Sequence, residues 1–166
     1  MRPQIRLLLA DYANPAHAQA LVLLLDAYAR DPMGGAQGLS DYARSHLVAE
    51  LARRPYAFSV LAFAGADERE PVGLANCMEG FSTFACRPLV NVHDLAVLER
   101  YRGQGVGALL LDQVAQIARQ RGACKLTLEV LSANQSALRL YARAGFAPYA
   151  LTPQAGQAQF MQKWLD

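Results

Sequence analysis

The chain has 166 residues, 53% hydrophobic and 18% charged, which is enough apolar material for one domain with its own core and too much for disorder. A formal charge of +2 is too small to point to nucleic acid, and no basic stripe with interleaved aromatics adds to it. The charge is uneven, however: residues 1–83 hold 7 basic and 9 acidic side chains, residues 84–166 hold 9 and 5.

In chain order, "QIRLLLA" (4–10) reads as a strand. "NPAHAQALVLLLDAYAR" (14–30) reads as a helix, with Asn14 at the N-cap and Pro15 in the first helical position. "DPMGGAQGL" (31–39) is loop by its proline and glycines, and "SDYARSHLVAELARR" (40–54) is a second helix capped by Ser40 and ended by Pro55. The period then changes to that of strands, "YAFSVLAFA" (56–64) and "EPVGLANCMEG" (70–80), with "GADER" as a hairpin between them. "FSTFACRP" (81–88) fits no single element, and "LVNVHDLAV" (89–97) is another strand.

A glycine turn leads into a helix over about 105–120, with Val106, Leu109, Leu110, Val114 and Ile117 on one face and Gly122 at its end. "CKLTLEV" (124–130) is a strand and "NQSALRLYARAG" (134–145) a short helix, while "FAPY" (146–149) and "AQFMQKWL" (158–165) read as closing strands. No repeat or linker divides the chain. It reads as one three-layer α/β domain over 1–166, with a mixed, mostly antiparallel sheet, about four helices and a parallel crossover through 89–130.

Cys77, Cys86 and Cys124 form no CxxC and cannot all pair, which favours free thiols in a reducing compartment. With His93 they match no standard zinc spacing, so no metal is expected. The first residues lack the charged start, apolar stretch and small-residue cleavage site of a leader, and the apolar run Ala20–Leu25 is too short to span a bilayer. The expectation is a cytoplasmic protein with no membrane partner.

"RGQGVG" (102–107) carries the chemistry. It stands between a strand and a helix, where unpaired N–H groups and the positive end of the helix dipole meet backbone that can approach an anion closely. Arg100 and Arg102 add positive charge beside it. The stretch is neither a P-loop, which needs GxxxxGK[ST], nor the dinucleotide GxGxxG, because 103–108 reads Gly-Gln-Gly-Val-Gly-Ala. Its bland alternative is a strand–helix corner that binds nothing.

"LAVLERYRGQGVGALLL" (95–111) resembles the central motif of the GNAT superfamily of acyl-CoA N-acyltransferases, Arg/Gln-x-x-Gly-x-Gly/Ala, matched by Arg102, Gly105 and Gly107. "LEVLSANQSALRLYARAGF" (128–146) resembles the second coenzyme-side motif of that family, at the family's distance. The resemblance implies the three-layer acyl-CoA N-acyltransferase fold and acetyl-CoA as the acyl donor. It implies that the loop Arg102, Gly103, Gln104, Gly105, Val106, Gly107 and Ala108 takes the coenzyme A diphosphate. Leu95, Ala96 and Val97 would meet the pantetheine and acyl carbonyl, Asn134 the pantetheine, and Tyr141 would protonate the departing thiolate.

Acetyl transfer from a thioester to a primary amine needs a neutral amine, a stabilised oxyanion and a protonated leaving group. Backbone N–H near Ala96–Val97 serves the oxyanion and Tyr141 the thiolate. Tyr141 follows Asn134 by two helical turns, so both project toward one ligand. The base is His93, Asp94 or Glu79. Strand alternation puts His93 with Leu95 on one face and Asp94 with Ala96 on the other, unless a bulge changes the parity. The alternatives are a core His93, an orienting Asp94 and a solvated Glu79.

The acceptor lies over Tyr28–Tyr42, where the loop offers Asp31, Met33 and backbone amides. Asp31 and Glu79 give modest negative charge, and Phe81, Ser82, Thr83 and Phe84 a mixed wall. Together they suit a small-molecule or peptide amine. The same aromatics equally suit a homodimer contact or a packed core. Two other functions share these features: an acyl-CoA-binding regulatory module without turnover, and transfer to a protein N-terminus or lysine.

Overall fold

The computed structural model describes residues 4–65, 67 and 69–165. They form two compact units that divide after Leu128. The first holds β1 (Ile5–Leu9), α1 (Pro15–Arg30), α2 (Asp41–Ala52), β2 (Ala57–Ala64), β3 (Glu70–Ser82), β4 (Arg87–Val97), a 3₁₀ turn (Glu99–Tyr101), α3 (Val106–Gln120) and β5 (Leu126–Leu128). Its five strands lie in the order β1-β2-β3-β4-β5, antiparallel up to β4 and parallel between β4 and β5. The mixed sheet expected from the sequence is present, with α3 as its parallel crossover.

The sheet is covered on both faces. Ala20, Leu21 and Leu24 of α1 and Leu51 of α2 pack with Ala57, Leu61, Phe63, Leu74 and Ala96. On the other face, α3 buries Val106, Leu110, Leu111, Val114 and Ile117. Burial from both sides is why β2 reads as an almost unbroken apolar run. Gly73 lies under α3: a Cβ there would stand 3.0 Å from Leu110 Cδ1, 3.1 Å from Val106 Cγ1 and 3.2 Å from the Ala96 carbonyl oxygen. Gly73→Ala is therefore expected to cost about 1–2 kcal/mol through overpacking, read as a lower urea midpoint with unchanged slope.

Residues 81–88 resolve into the end of β3, a turn and the start of β4. β2 and β3 pair on either side of "GADER", as a hairpin requires; Ala66 and Glu68 lie outside the described residues. β5 has three residues rather than the seven of 124–130. Its ladder with β4 ends at Val92–Leu128, next to a bulge in β4 that ends regular pairing.

The second unit holds α4 (Gln135–Arg143) and a 3₁₀ turn (Pro153–Ala155). The closing strands expected at 146–149 and 158–165 are not formed. "FAPY" contains Pro148, which has no N–H for a ladder. "AQFMQKWL" carries its large side chains as the doublets Phe160–Met161 and Trp164–Leu165, and a strand's alternation cannot turn both members of a doublet to one face. All four are exposed.

Candidate active site

The turn after β4 is built for backbone. Gly103 and Gly105 have φ of +74° and +92°, in the left-handed region that penalises a Cβ. A Cβ on either would meet nothing within 4 Å, so the space over the turn is open and packing does not demand glycine there. α1, α2 and α4 are capped by the side chains of Asn14, Ser40 and Asn134, whereas α3 starts from Gly105 with no side-chain cap. The first-turn N–H groups and the positive end of the α3 dipole thus face an open turn. These features suit a diphosphate.

The two arginines flanking the turn are already engaged. Arg100 donates to Glu70 at 2.6 Å and lies over the Tyr101 ring. Arg102 donates through Nε to the Val97 carbonyl at 3.0 Å and through Nη2 to Asp31 Oδ2 at 2.8 Å. The attraction for an anion therefore rests on the backbone, and Arg102 braces the turn between the end of β4 and the end of α1. The Asp31 carboxyl is held below the usual carboxylate range by the Met33 N–H and then by Arg102. A depressed pKa in the folded state means that this brace stabilises fully above the ordinary carboxylate range and is lost as pH falls below it.

β4 supplies a free edge. The Leu98 N–H donates to Val72 O, and in an antiparallel ladder that alternation turns the N–H and C=O of Leu95 and Val97 away from β3. β5 covers the outer edge of β4 only over Val90–Val92. Beyond it a cavity of about 500 Å³ opens beside Ala96, Val97 and Leu98, bounded by Tyr28 and Asp31 from the end of α1 and by Arg102.

The three candidate bases part company. Asn76 pairs with Asp94 but Cys77 with Val92, so His93 is the extra residue of a β-bulge. His93 is exposed, which removes the core alternative. Asp94 shares the α1/α2 face with Ala96, is half-buried, and accepts a hydrogen bond at Oδ2 from Asn76 Nδ2 at 3.0 Å. Its charge is felt by Tyr28, whose hydroxyl is pushed up first by burial and then by Asp94 and Asp31. Glu79 pairs with Val90 on the opposite face, where Arg121 approaches it at 3.7 Å and stacks over Phe58. The geometry separates Glu79 from Asp94.

Asp31 and Glu79, the expected acceptor charges, are thus both matched by arginine. Phe81 and Phe84 are 59% and 95% exposed, which excludes a packed core for them. Cys77 is buried, its thiol pushed up to about 12 by burial and by the Asp94 charge; Cys86 and Cys124 are free. Among the described residues no three of His, Cys, Asp and Glu cluster as metal ligands, and no helix is long and apolar enough to cross a membrane.

In the second unit, Asn134 caps α4 by accepting from the Ala137 N–H at 3.1 Å. Tyr141, on the same helix, meets the Phe146 ring edge-on at 5.9 Å. Sequence reading missed Ser59, which donates to Asn76, and Asn76, which donates to Asp94. Each stands out as a polar residue inside an apolar run, "AFSVLAFA" and "VGLANCM".

The acetyltransferase (GNAT) family profile matches residues 17–146. The chain belongs to this family. Streptothricin acetyltransferase of Streptomyces lavendulae is 37% identical over 79 residues, 46% of this chain and 42% of that enzyme. Thialysine N-epsilon-acetyltransferase of Mus musculus is 38% identical over 61 residues, 37% of this chain and 35% of its own length. The match thus spans less than half the length of either relative. An uncharacterized N-acetyltransferase of Archaeoglobus fulgidus is 30% identical over 126 residues, 71% of this chain and 83% of that protein.

Among solved structures, a probable acetyltransferase superposes with TM-score 0.78 at 22% identity, covering 97% of this chain and 99% of that one. An aminoglycoside N-acetyltransferase in complex with CoA superposes with TM-score 0.74 at 17% identity, covering 97% and 95%. Both share the GNAT fold with this chain.

Proposed function

We propose that this GNAT protein transfers an acetyl group from acetyl-CoA directly to a primary amine of a small molecule or peptide. The observation that carries the reading is the open, uncapped glycine turn at the head of α3, set beside the free edge of β4. The family profile runs from 17 to 146, through both compact units, which supports treating 1–166 as one acetyltransferase domain.

The backbone from Arg102 to Ala108, with Gly103, Gln104, Gly105, Val106 and Gly107, holds the diphosphate. Leu95 and Val97 hold the pantetheine and acyl carbonyl through their outward backbone groups, the Val97 carbonyl being shared with Arg102, with Ala96 lining the strand between them and Asn134 as a further pantetheine contact. Acetyl-CoA supplies an activated thioester. Asp94 takes one proton of the acceptor ammonium, and the free amine forms the C–N bond as the C–S bond breaks. Tyr141 protonates the departing thiolate and is restored by the second N–H proton that the nitrogen loses on becoming an amide. His93, exposed at the bulge, is the second-ranked base, and Glu79 the third because Arg121 faces it. A Cys77 thiol raised to about 12 supports direct transfer over an acyl-cysteine route.

The first test is calorimetric titration with acetyl-CoA against desulfo-CoA and NAD, followed by thiol release with streptothricin, thialysine, lysine and a peptide N-terminus as acceptors. Binding of acetyl-CoA with release on at least one amine supports the enzyme. Binding without release on any amine supports the regulatory acyl-CoA module instead, and no binding removes both. Tyr141→Phe is expected to leave acetyl-CoA affinity unchanged and lower turnover by about 10²-fold, measured by steady-state thiol release. An unchanged rate across pH would remove Tyr141 from the acid role.

A further inference from the structure

Ser59 and Asn76 are the fully buried polar side chains among the described residues, 0% and 2% exposed. They are cross-strand partners on the α1/α2 face, next to the pair Leu61–Leu74, which fills the same layer with apolar atoms alone. Two buried polar groups are costly there unless each is bonded, and each is. Ser59 Oγ donates to Asn76 Oδ1 at 2.6 Å, Asn76 Nδ2 donates to Asp94 Oδ2 at 3.0 Å, and Tyr12 Oη lies 2.9 Å from Ser59 Oγ.

The direction of the chain follows from its end. A carboxylate only accepts, so it fixes the amide with nitrogen toward Asp94 and oxygen toward Ser59. That oxygen takes the serine proton, so the serine oxygen accepts from Tyr12. Every donor from Tyr12 onward points toward Asp94. The amide in the middle blocks proton passage, so the row acts by position and polarity and carries no proton. Asp94 Oδ1 is engaged by no donor among the described residues.

We infer that Asn76, backed by Ser59 and Tyr12, is the positioning residue of Asp94: it holds one carboxylate oxygen and leaves the other for the incoming ammonium group. The inference rests on the reading of Asp94 as proton acceptor. The pair holds a fixed charge on an otherwise apolar face, which an apolar pair of equal volume would not do.

The test is a pH titration of the Asp94 side-chain carboxyl by ¹³C NMR, the resonance being assigned by its loss in Asp94→Asn. The titratable groups around it are Tyr28 on α1, Tyr12 before α1, Cys77 on β3 and His93 beside it. The first three stay protonated through the range, raised by burial. A His93→Gln background removes the last. Nearby charges on α1 and α2 are matched, Asp31 by Arg102, Asp26 by Arg30 and Arg44, and Glu50 by Arg53 and Arg54.

Asn76→Ala is expected to raise the Asp94 midpoint the most, Ser59→Ala less and Tyr12→Phe least, because each removes a donor further from the carboxylate. Tyr12→Phe keeps its ring and lies at the half-buried end, so the series survives even where Asn76→Ala does not fold. An unmoved midpoint in the folded variants overturns the inference, as does a rise in which Tyr12→Phe exceeds Ser59→Ala. Turnover of Asp94→Asn is measured in parallel on the amine found by thiol release. The titration judges the holding role and turnover judges the base, so the two readings fail separately.

Discussion

Gly105→Val is expected to weaken acetyl-CoA binding by about 10²-fold or more, some 3 kcal/mol, measured by calorimetry. Two effects add. At φ +92° a β-branched residue either adopts a strained backbone or shifts the turn, and either change misaims the first N–H groups of α3. The new side chain also projects into the open space over the turn, which is where the diphosphate is proposed to lie. Gly122 is the matched control at the other end of α3. It has φ +75° and equally open space around a built Cβ, yet it is remote from the proposed coenzyme loop in sequence. Gly122→Val should therefore cost a similar amount of stability, about 1–2 kcal/mol, and leave acetyl-CoA affinity alone. Equal loss of affinity in both variants would make the effect one of general destabilisation, and unchanged affinity in Gly105→Val would reduce the turn to architecture.

Much of this was legible in the sequence wherever a residue's chemistry acts locally. Asn14 and Ser40 cap the helices they were read to cap, and Gly105 opens α3, because capping is settled within a few residues. The mixed sense of the sheet, antiparallel with one parallel crossover into β5, was legible from the hairpin and the helix between 89–97 and 124–130. What escaped was set by partners distant in sequence. Arg102 and Arg100 look like anion ligands in the linear motif, but Asp31 and Glu70, far back in the chain, engage them. The closing strands, by contrast, failed for a local reason that composition does not register: Pro148 has no N–H for a ladder, and the large apolar residues of 158–165 come in doublets rather than in alternation. The bulge did leave a trace. The buried or half-buried apolar residues of β4 facing α3 are Val90, Val92, Leu95 and Val97, and the period of two slips by one between Val92 and Leu95. That slip places His93 outside the alternation and Asp94 on the α1/α2 face with Asn76.

Asp94→Asn is expected to lower turnover with a protonated acceptor amine by about 10²-fold or more near neutral pH, with acetyl-CoA affinity and unfolding midpoint nearly unchanged. The substitution is close to isosteric, and the asparagine keeps an oxygen that accepts the Asn76 Nδ2 hydrogen at the same place, so the buried row stays satisfied. What is lost is the ability to take a proton. That predicts a particular pH response: the variant's kcat/KM should climb with pH until the free amine itself predominates, because solvent then does the deprotonation, while the wild-type protein reaches its plateau earlier. An acceptor that is already neutral, such as hydroxylamine, should show little difference between the two proteins. A defect of equal size for protonated and neutral acceptors would mean that Asp94 orients the substrate without accepting its proton. Full activity with both would pass the base to His93, the exposed bulge residue one position earlier, and His93→Gln would then carry the pH-dependent loss.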